Sequence, residues 1–183
     1  VSVIEELERL DVAAYAAVAR TSTPALDRAM AGLSRAADYS KLSLASAAVL
    51  ALAGGPRGRR AALLGLASLA VTATVVNVGV KPAGRRRRPD RAAQEVPIAR
   101  HVPMPISTSF PSGHSAAAFA FATGVGHAMP AAAFPLRALA ALVAYSRVHT
   151  GVHYPGDVVA GSLIGGALAQ ATSVALDGRG RLG

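Results

Sequence analysis

Residues 61–80, "AALLGLASLAVTATVVNVGV", run for 20 positions without a charged side chain. At the rise of an α-helix this stretch is about 30 Å long, the thickness of a bilayer's hydrocarbon core. Four further apolar segments follow the same logic: 42–55, 115–134, 136–146 and 158–176. Two of them, 42–55 and 136–146, fall short of a full span, which tilt, a thin bilayer or shielding within a bundle accommodates. The pattern predicts an all-α integral membrane bundle of about five transmembrane helices. Composition agrees, because 52% of residues are apolar but only 4% aromatic, with no Trp. Alanine and glycine carry much of that apolar count, and small residues let helices approach closely inside a membrane.

Residues 1–40 have a different character. "VIEELERLDVAAYAAVAR" and "TPALDRAMAGLSRAADYSK" mix charged and apolar residues and break near Thr23-Pro24. Glu5, Glu6 and Glu8 at the front and Arg20 at the back suit the dipole of one helix. The uncharged run Val12–Ala19 is too short to cross a bilayer. Two amphipathic helices are expected, lying at the membrane surface or against the bundle; a soluble helical hairpin reads equally well. The net charge of +9 is clustered beside apolar segments. It therefore points to anionic lipid headgroups or phosphorylated substrates rather than to nucleic acid. Cysteine is absent, which excludes thiolate nucleophiles and Cys-based metal sites.

If the five helices alternate in direction, the loops 81–110 and 147–157 and the corner 111–114 share one membrane face. Three polar clusters meet there. The first, "KPAGRRRRP" (81–89), reads as a topology-setting basic run or as a phosphate site, since arginine forks and a lysine point charge together neutralise a phosphoryl group. The second, "PSGHS" (111–115), pairs a tight turn and helix-capping serines with His114, which gives or takes a proton near neutral pH. Alone it is no more than a capped helix start. The third, "SRVHTGVHYPGD" (146–157), places Asp157 four residues after His153. A carboxylate on one imidazole nitrogen fixes the tautomer and frees the other to attack, although Asp157 also suits a helix cap.

Taken together, Lys81-x6-Arg88-Pro89, Pro111-Ser112-Gly113-His114 and Ser146-Arg147-x5-His153-x3-Asp157 resemble the three-part signature of the type 2 phosphatidic acid phosphatase family. The resemblance covers residues 81–157 in order and spacing. It implies a phosphohistidine enzyme that needs no metal or other cofactor. His153 matches the nucleophile, Asp157 the residue that orients it, and His114 the general acid. Lys81, Arg88, Ser112, Gly113 and Arg147 match the phosphate-binding shell. The division this suggests is an N-terminal segment, 1–40, and a membrane-embedded phosphatase domain, 41–183.

Other histidines stay outside the signature. His149 is expected to be an ordinary polar loop residue rather than half of a metal pair with His153, and His127 a bundle or interface residue. His101 and Arg85 to Arg87 read equally as a second anion site or as a solvated loop. A site at a membrane face implies an amphiphilic substrate, a lipid or polyprenyl phosphate, and a multi-pass protein of the bacterial plasma membrane. "TPALDRAMAGLSRAADYSKL" and "SRVHTGVHYPGDVVAG" further resemble small actinobacterial members of the family. Some of those remove the 5-phosphate of decaprenylphosphoryl-5-phosphoribose in cell-wall arabinan synthesis. Polyprenyl pyrophosphate or phosphatidylglycerol phosphate as substrate, and lipid phosphotransfer by the same histidine, stand as alternatives.

Overall fold

The computed structural model describes residues 2–179, and within them every regular element is helical. Two helices, α1 (Val3–Arg20) and α2 (Pro24–Ala36), precede five that form the bundle. Ser2 starts α1 with a capping box to Glu5, and Pro24 occupies the first turn of α2, where a missing N–H costs nothing. The break expected at Thr23-Pro24 is there. Both helices pack on the bundle: α2 lies against α7 (Pro130–His149), and α1 touches α7 and α8 (Pro155–Arg179).

The bundle begins with α3 (Lys41–Ala53). Next, α4 (Gly55–Thr74) runs through one π-helical stretch, Val75–Val80, into a last turn, α5 (Lys81–Ala83), giving one 29-residue rod from Gly55 to Ala83. Two expectations are corrected here. The rod starts ahead of the uncharged run 61–80: residues 55–60 are the opening turns of α4, because Pro56 fits a first turn and Arg57, Arg59 and Arg60 are good helix formers. Lys81 likewise rides on the rod's end instead of in a loop. The third bundle helix is α6 (Gly113–Ala128), and its boundary with α7 falls at Met129, not at Pro135. Pro130 takes the permitted first-turn position, and Pro135 is absorbed inside α7.

Three helices, Gly55–Ala83, Pro130–His149 and Pro155–Asp177, are long and apolar enough to cross a membrane. With 13 and 16 residues, α3 and α6 are shorter than a span. The expected five segments are thus five bundle helices, of which three have span length. Their outer faces expose Leu52, Leu63, Val78, Phe134 and Leu163, as a lipid-facing surface requires.

At the centre lies α6, packed against α4, α7 and α8. Small residues make this possible. A Cβ on Gly161 or Gly165 of α8 would overlap the carbonyl oxygens of Ser112 and Ala116, so α8 lies directly on the α6 backbone. The core beside it is built from Ala47, Ala61, Ala62, Phe121 and Val125. That close α6–α8 contact puts the start of α8 beside the start of α6. The two ends carry Asp157 and His114.

Candidate active site

The segment after α5 is extended, and side chains in extended chain alternate between two sides. Arg85 and Arg87 are consequently exposed, while Arg86 and Arg88 turn inward. Arg88 is fixed by hydrogen bonds from Nε to the Ser107 carbonyl (2.9 Å) and from Nη1 to the Val152 carbonyl (2.8 Å). Its Nη1 also lies 3.2 Å from Nε2 of His153. A guanidinium only donates, so this contact requires an unprotonated Nε2. The imidazole proton then sits on Nδ1, which faces Asp157 Oδ2 at 3.5 Å, the outer edge of a hydrogen bond.

Asp157 occupies the third position of α8 rather than its cap. It accepts the backbone N–H of Tyr154 at 2.9 Å, the return half of a capping box, with Pro155 between them. It also accepts the Ser109 hydroxyl and pairs with Arg86 Nη1 at 2.8 Å. Arg86 lies over the Tyr154 ring, 4.3 Å from its centroid, and reaches Asp11 of α1 at 2.6 Å. The carboxylate is therefore fully buried and held from three sides. Burial pushes His153 down to about 4, against the pull of Asp157 and with the push of Arg88 and Arg147. At neutral pH the ring is uncharged, with a lone pair on Nε2.

The second loop closes the site from the other side. Ser112 caps α6, its hydroxyl accepting from Ser115 N–H and O–H, and its own N–H donates to the Asp157 carbonyl at 2.9 Å. A Cβ on Gly113 would meet Lys81 Nζ at 3.4 Å, so the lysine lies against the α6 N-terminus. Lys81 Nζ and Arg88 Nη2 both reach Ser107 Oγ, at 3.3 and 3.2 Å. His114 bonds through Nε2 to Asp38 Oδ1 at 2.9 Å. Arg147, at the end of α7, donates from Nη1 to Ser34 Oγ at 2.6 Å and sits 3.7 Å from Asp38, while its buried Nε has no protein partner. Beside Lys81, Gly113 and His114 opens a cavity of about 210 Å³ that descends to Phe121, Leu136 and Val143.

All eight residues singled out in the sequence, Lys81, Arg88, Ser112, Gly113, His114, Arg147, His153 and Asp157, thus converge on one end of the bundle. Three cations and the α6 N-terminus line one wall of this end, and each of the two imidazoles beside it faces a carboxylate, His153 towards Asp157 and His114 towards Asp38. One expectation fails. His149 is not a loop residue: it lies buried in the last turn of α7, with Nε2 2.9 Å from Asp27 Oδ1. That carboxylate also holds the buried Arg100, whose guanidinium caps the carbonyls of Val18, Ala19 and Thr21. His127 pairs with Asp177 at the far end of the bundle, and His101 bonds the Val96 carbonyl. Reasoning from the sequence missed Asp11, Ser34 and Asp38, and it read Arg86 with its neighbours as a second anion site or a solvated loop, whereas the structure pairs it with Asp11 and Asp157. Of these only Arg86 left a signal, the period-2 alternation of an extended proline-flanked run.

Similarity to known proteins follows the same lines. The PAP2 superfamily profile matches residues 61–181. Decaprenylphosphoryl-5-phosphoribose phosphatase of Mycobacterium tuberculosis is 36% identical over 140 residues, with 73% of each chain covered. The crystal structure of Aquifex aeolicus LpxE shares the fold with a TM-score of 0.72 at 23% identity, over 89% of this chain and 94% of that one. A transmembrane PAP2-type phosphatidylglycerolphosphate phosphatase from Bacillus subtilis gives a TM-score of 0.69 at 25% identity, over 95% of this chain and 87% of that one. By family profile, relative and fold together, the chain belongs to the PAP2 superfamily and is a membrane phosphatase acting on phosphomonoesters.

Proposed function

We propose that the protein removes the 5-phosphate of a polyprenyl-phosphoryl phosphoribose at one face of the bacterial plasma membrane, as a multi-pass enzyme working through His153. The observation that carries the mechanism is the buried His153 held between two groups, its Nε2 3.2 Å from Arg88 Nη1 and its Nδ1 3.5 Å from Asp157 Oδ2. Arg88, Lys81, Arg147 and the Ser112–Gly113 corner hold the phosphate oxygens and stabilise their charge as the bond order at phosphorus changes. Nε2 attacks phosphorus, the bond to the ester oxygen breaks, and protonated His114 delivers a proton to that oxygen, releasing the sugar hydroxyl. Asp157 stabilises the positive charge on His153 through Nδ1–H. Water then attacks phosphorus and gives its proton to His114. The P–N bond breaks, inorganic phosphate leaves, and both histidines return to their starting states.

The substrate is argued from likeness: the 36% identical Mycobacterium tuberculosis relative is named for decaprenylphosphoryl-5-phosphoribose. The cavity beside His114, polar at its mouth and apolar below, suits a leaving group that continues into lipid. Phosphate release by the purified protein tests this. Polyprenyl-phosphoryl-phosphoribose, phosphatidic acid, phosphatidylglycerol phosphate and polyprenyl pyrophosphate are offered in turn, with His153→Ala as control. Turnover is expected to be fastest with the phosphoribose lipid and abolished in the variant. Preference for another lipid overturns the substrate, and an active His153→Ala overturns the mechanism.

A further inference from the structure

The family-matched stretch begins at residue 61, yet residues before it hand side chains to the site. Ser34 and Asp38 meet Arg147, Asp11 meets Arg86, and Asp38 meets His114. The last contact has a chemical consequence. A proton donor must be charged before it acts, and the surroundings of His114 oppose that charge. Burial pushes the imidazole down to about 4, as it does His153, and Arg147 and Lys81 push in the same direction. Against them stands Asp38, its Oδ1 2.9 Å from His114 Nε2. The turn that carries it is unusual: Tyr39 and Ser40, directly after Asp38, have φ of 56° and 57°, a left-handed conformation that such residues rarely adopt. Backbone of this kind persists where surrounding contacts fix it. Here it turns the chain from α2 into α3 while Asp38 points at the start of α6.

We propose that Asp38 is a positioning residue for His114, forming a second carboxylate–imidazole pair opposite His153–Asp157. The proposal rests on the reading of His114 as proton donor. Asp38 keeps a proton on Nε2 and stabilises the imidazolium. Nδ1–H then passes its proton to the ester oxygen as the P–O bond breaks. The neutral ring that remains, still oriented by Asp38, accepts the proton from water in the second step, restoring the imidazolium. Both imidazoles are buried and each faces a carboxylate; the pairs differ in the ring nitrogen engaged, Nδ1 in His153 and Nε2 in His114, which leaves Nε2 of the first and Nδ1 of the second for the substrate.

The test compares leaving groups that do and do not need a proton. Asp38→Asn, Asp38→Glu, His114→Ala, His153→Ala and Ser34→Ala proteins are assayed on a lipid alkyl phosphate, phosphatidic acid, and on p-nitrophenyl phosphate, whose phenolate departs unprotonated. Asp38→Asn should lower kcat on the alkyl ester about 10- to 100-fold but on the aryl ester less than about threefold, a part of the full effect of general acid catalysis. The basic limb of its pH profile should move to lower pH, and Asp38→Glu should recover part of the loss. Ser34→Ala, which breaks the neighbouring contact to Arg147 without touching His114, should leave the alkyl-to-aryl ratio unchanged. Equal losses on both esters, a change in KM alone, or an unmoved pH limb would overturn the role. If Asp38→Asn does not fold, the same ratio is read on Asp38→Glu, and an unaltered ratio there also overturns it. Activity surviving in His153→Ala is a separate outcome: it removes the reading on which the proposal rests.

Discussion

Arg100→Met should loosen the N-terminal helices without unfolding the bundle. Arg100 is wholly buried, bonding Asp27 Oδ1 at 2.7 Å, the Val18 and Ala19 carbonyls at 2.9 and 3.2 Å, and Thr23 Oγ1 at 3.1 Å. Methionine keeps much of the volume but none of the donors. It leaves the end of α1 uncapped and the Asp27 carboxylate buried with only His149 and Thr23 as partners. Removing one member of a buried charge pair costs about 3–5 kcal/mol. At tenfold per 1.4 kcal/mol, opening of α2 becomes about two to nearly four orders of magnitude more frequent. Hydrogen exchange in detergent micelles or nanodiscs reads this directly, because local opening exposes the amides of residues 24–36. Protection there should fall by that factor while α4, α6 and α8 keep theirs. Activity should fall with it, since Ser34 and Asp38 ride on the same segment. Asp27→Leu combined with Arg100→Met leaves no lone charge and should recover part of the loss. Unchanged protection in 24–36, or a loss spread evenly over the bundle, would refute the argument.

Three other consequences are open to measurement. The His153 ring, followed by NMR of histidine-labelled protein, should titrate near 4 rather than near its ordinary value of about 6.5. Because the folded value is the lower one, the unfolded chain takes up this proton first, so its contribution to stability is present above about pH 6.5 and is lost as pH falls towards 4. A midpoint near 6.5 would contradict the buried neutral nucleophile. Gly165→Leu drives a side chain into the Ala116 carbonyl and should cost about 1–3 kcal/mol or more, whereas Gly166→Leu, with nothing within 4 Å, should be nearly neutral; equal thermal shifts in the two would count against direct α6–α8 backbone contact. Asp157→Asn removes the anion that faces His153 and Arg86 and should lower kcat about 10²–10⁴-fold with little change in KM; a pure KM effect would place Asp157 in substrate binding instead.

The parts of this site legible in the sequence are those in which local spacing fixes geometry. A four-residue step from His153 to Asp157 across a Pro-Gly start, and a Ser-Gly-His helix opening, place side chains whatever surrounds them. Uncharged runs of span length do the same for helices, which is why the rod from Gly55 to Ala83 was visible though its ends were not. The uncharged run starts only at Ala61 because Arg57, Arg59 and Arg60 precede it, although Pro56 suits a first turn, and Pro135 reads as a break although α7 continues through it. The supporting layer was hidden for a different reason. Asp11, Asp27, Ser34 and Asp38 lie 75 to 145 residues from Arg86, Gly156, His149, Arg147 and His114, measured along the chain. Nothing local marks a surface-type aspartate as one that will be buried against a distant arginine. His149 was misread for the same cause: its partner is on a helix that the motif does not include.

The central claim is a covalent phosphate on His153, and the direct test is to trap it. Purified protein is mixed with ³²P-labelled lipid phosphate, quenched within a turnover, and digested for mass spectrometry at alkaline pH, where a phosphoramidate survives. The account predicts a base-stable, acid-labile phosphate on the peptide that contains His153, formed at the rate of product release or faster and absent in His153→Ala. Label on another residue, or full single-turnover release of phosphate with no labelled protein at any time, would contradict it.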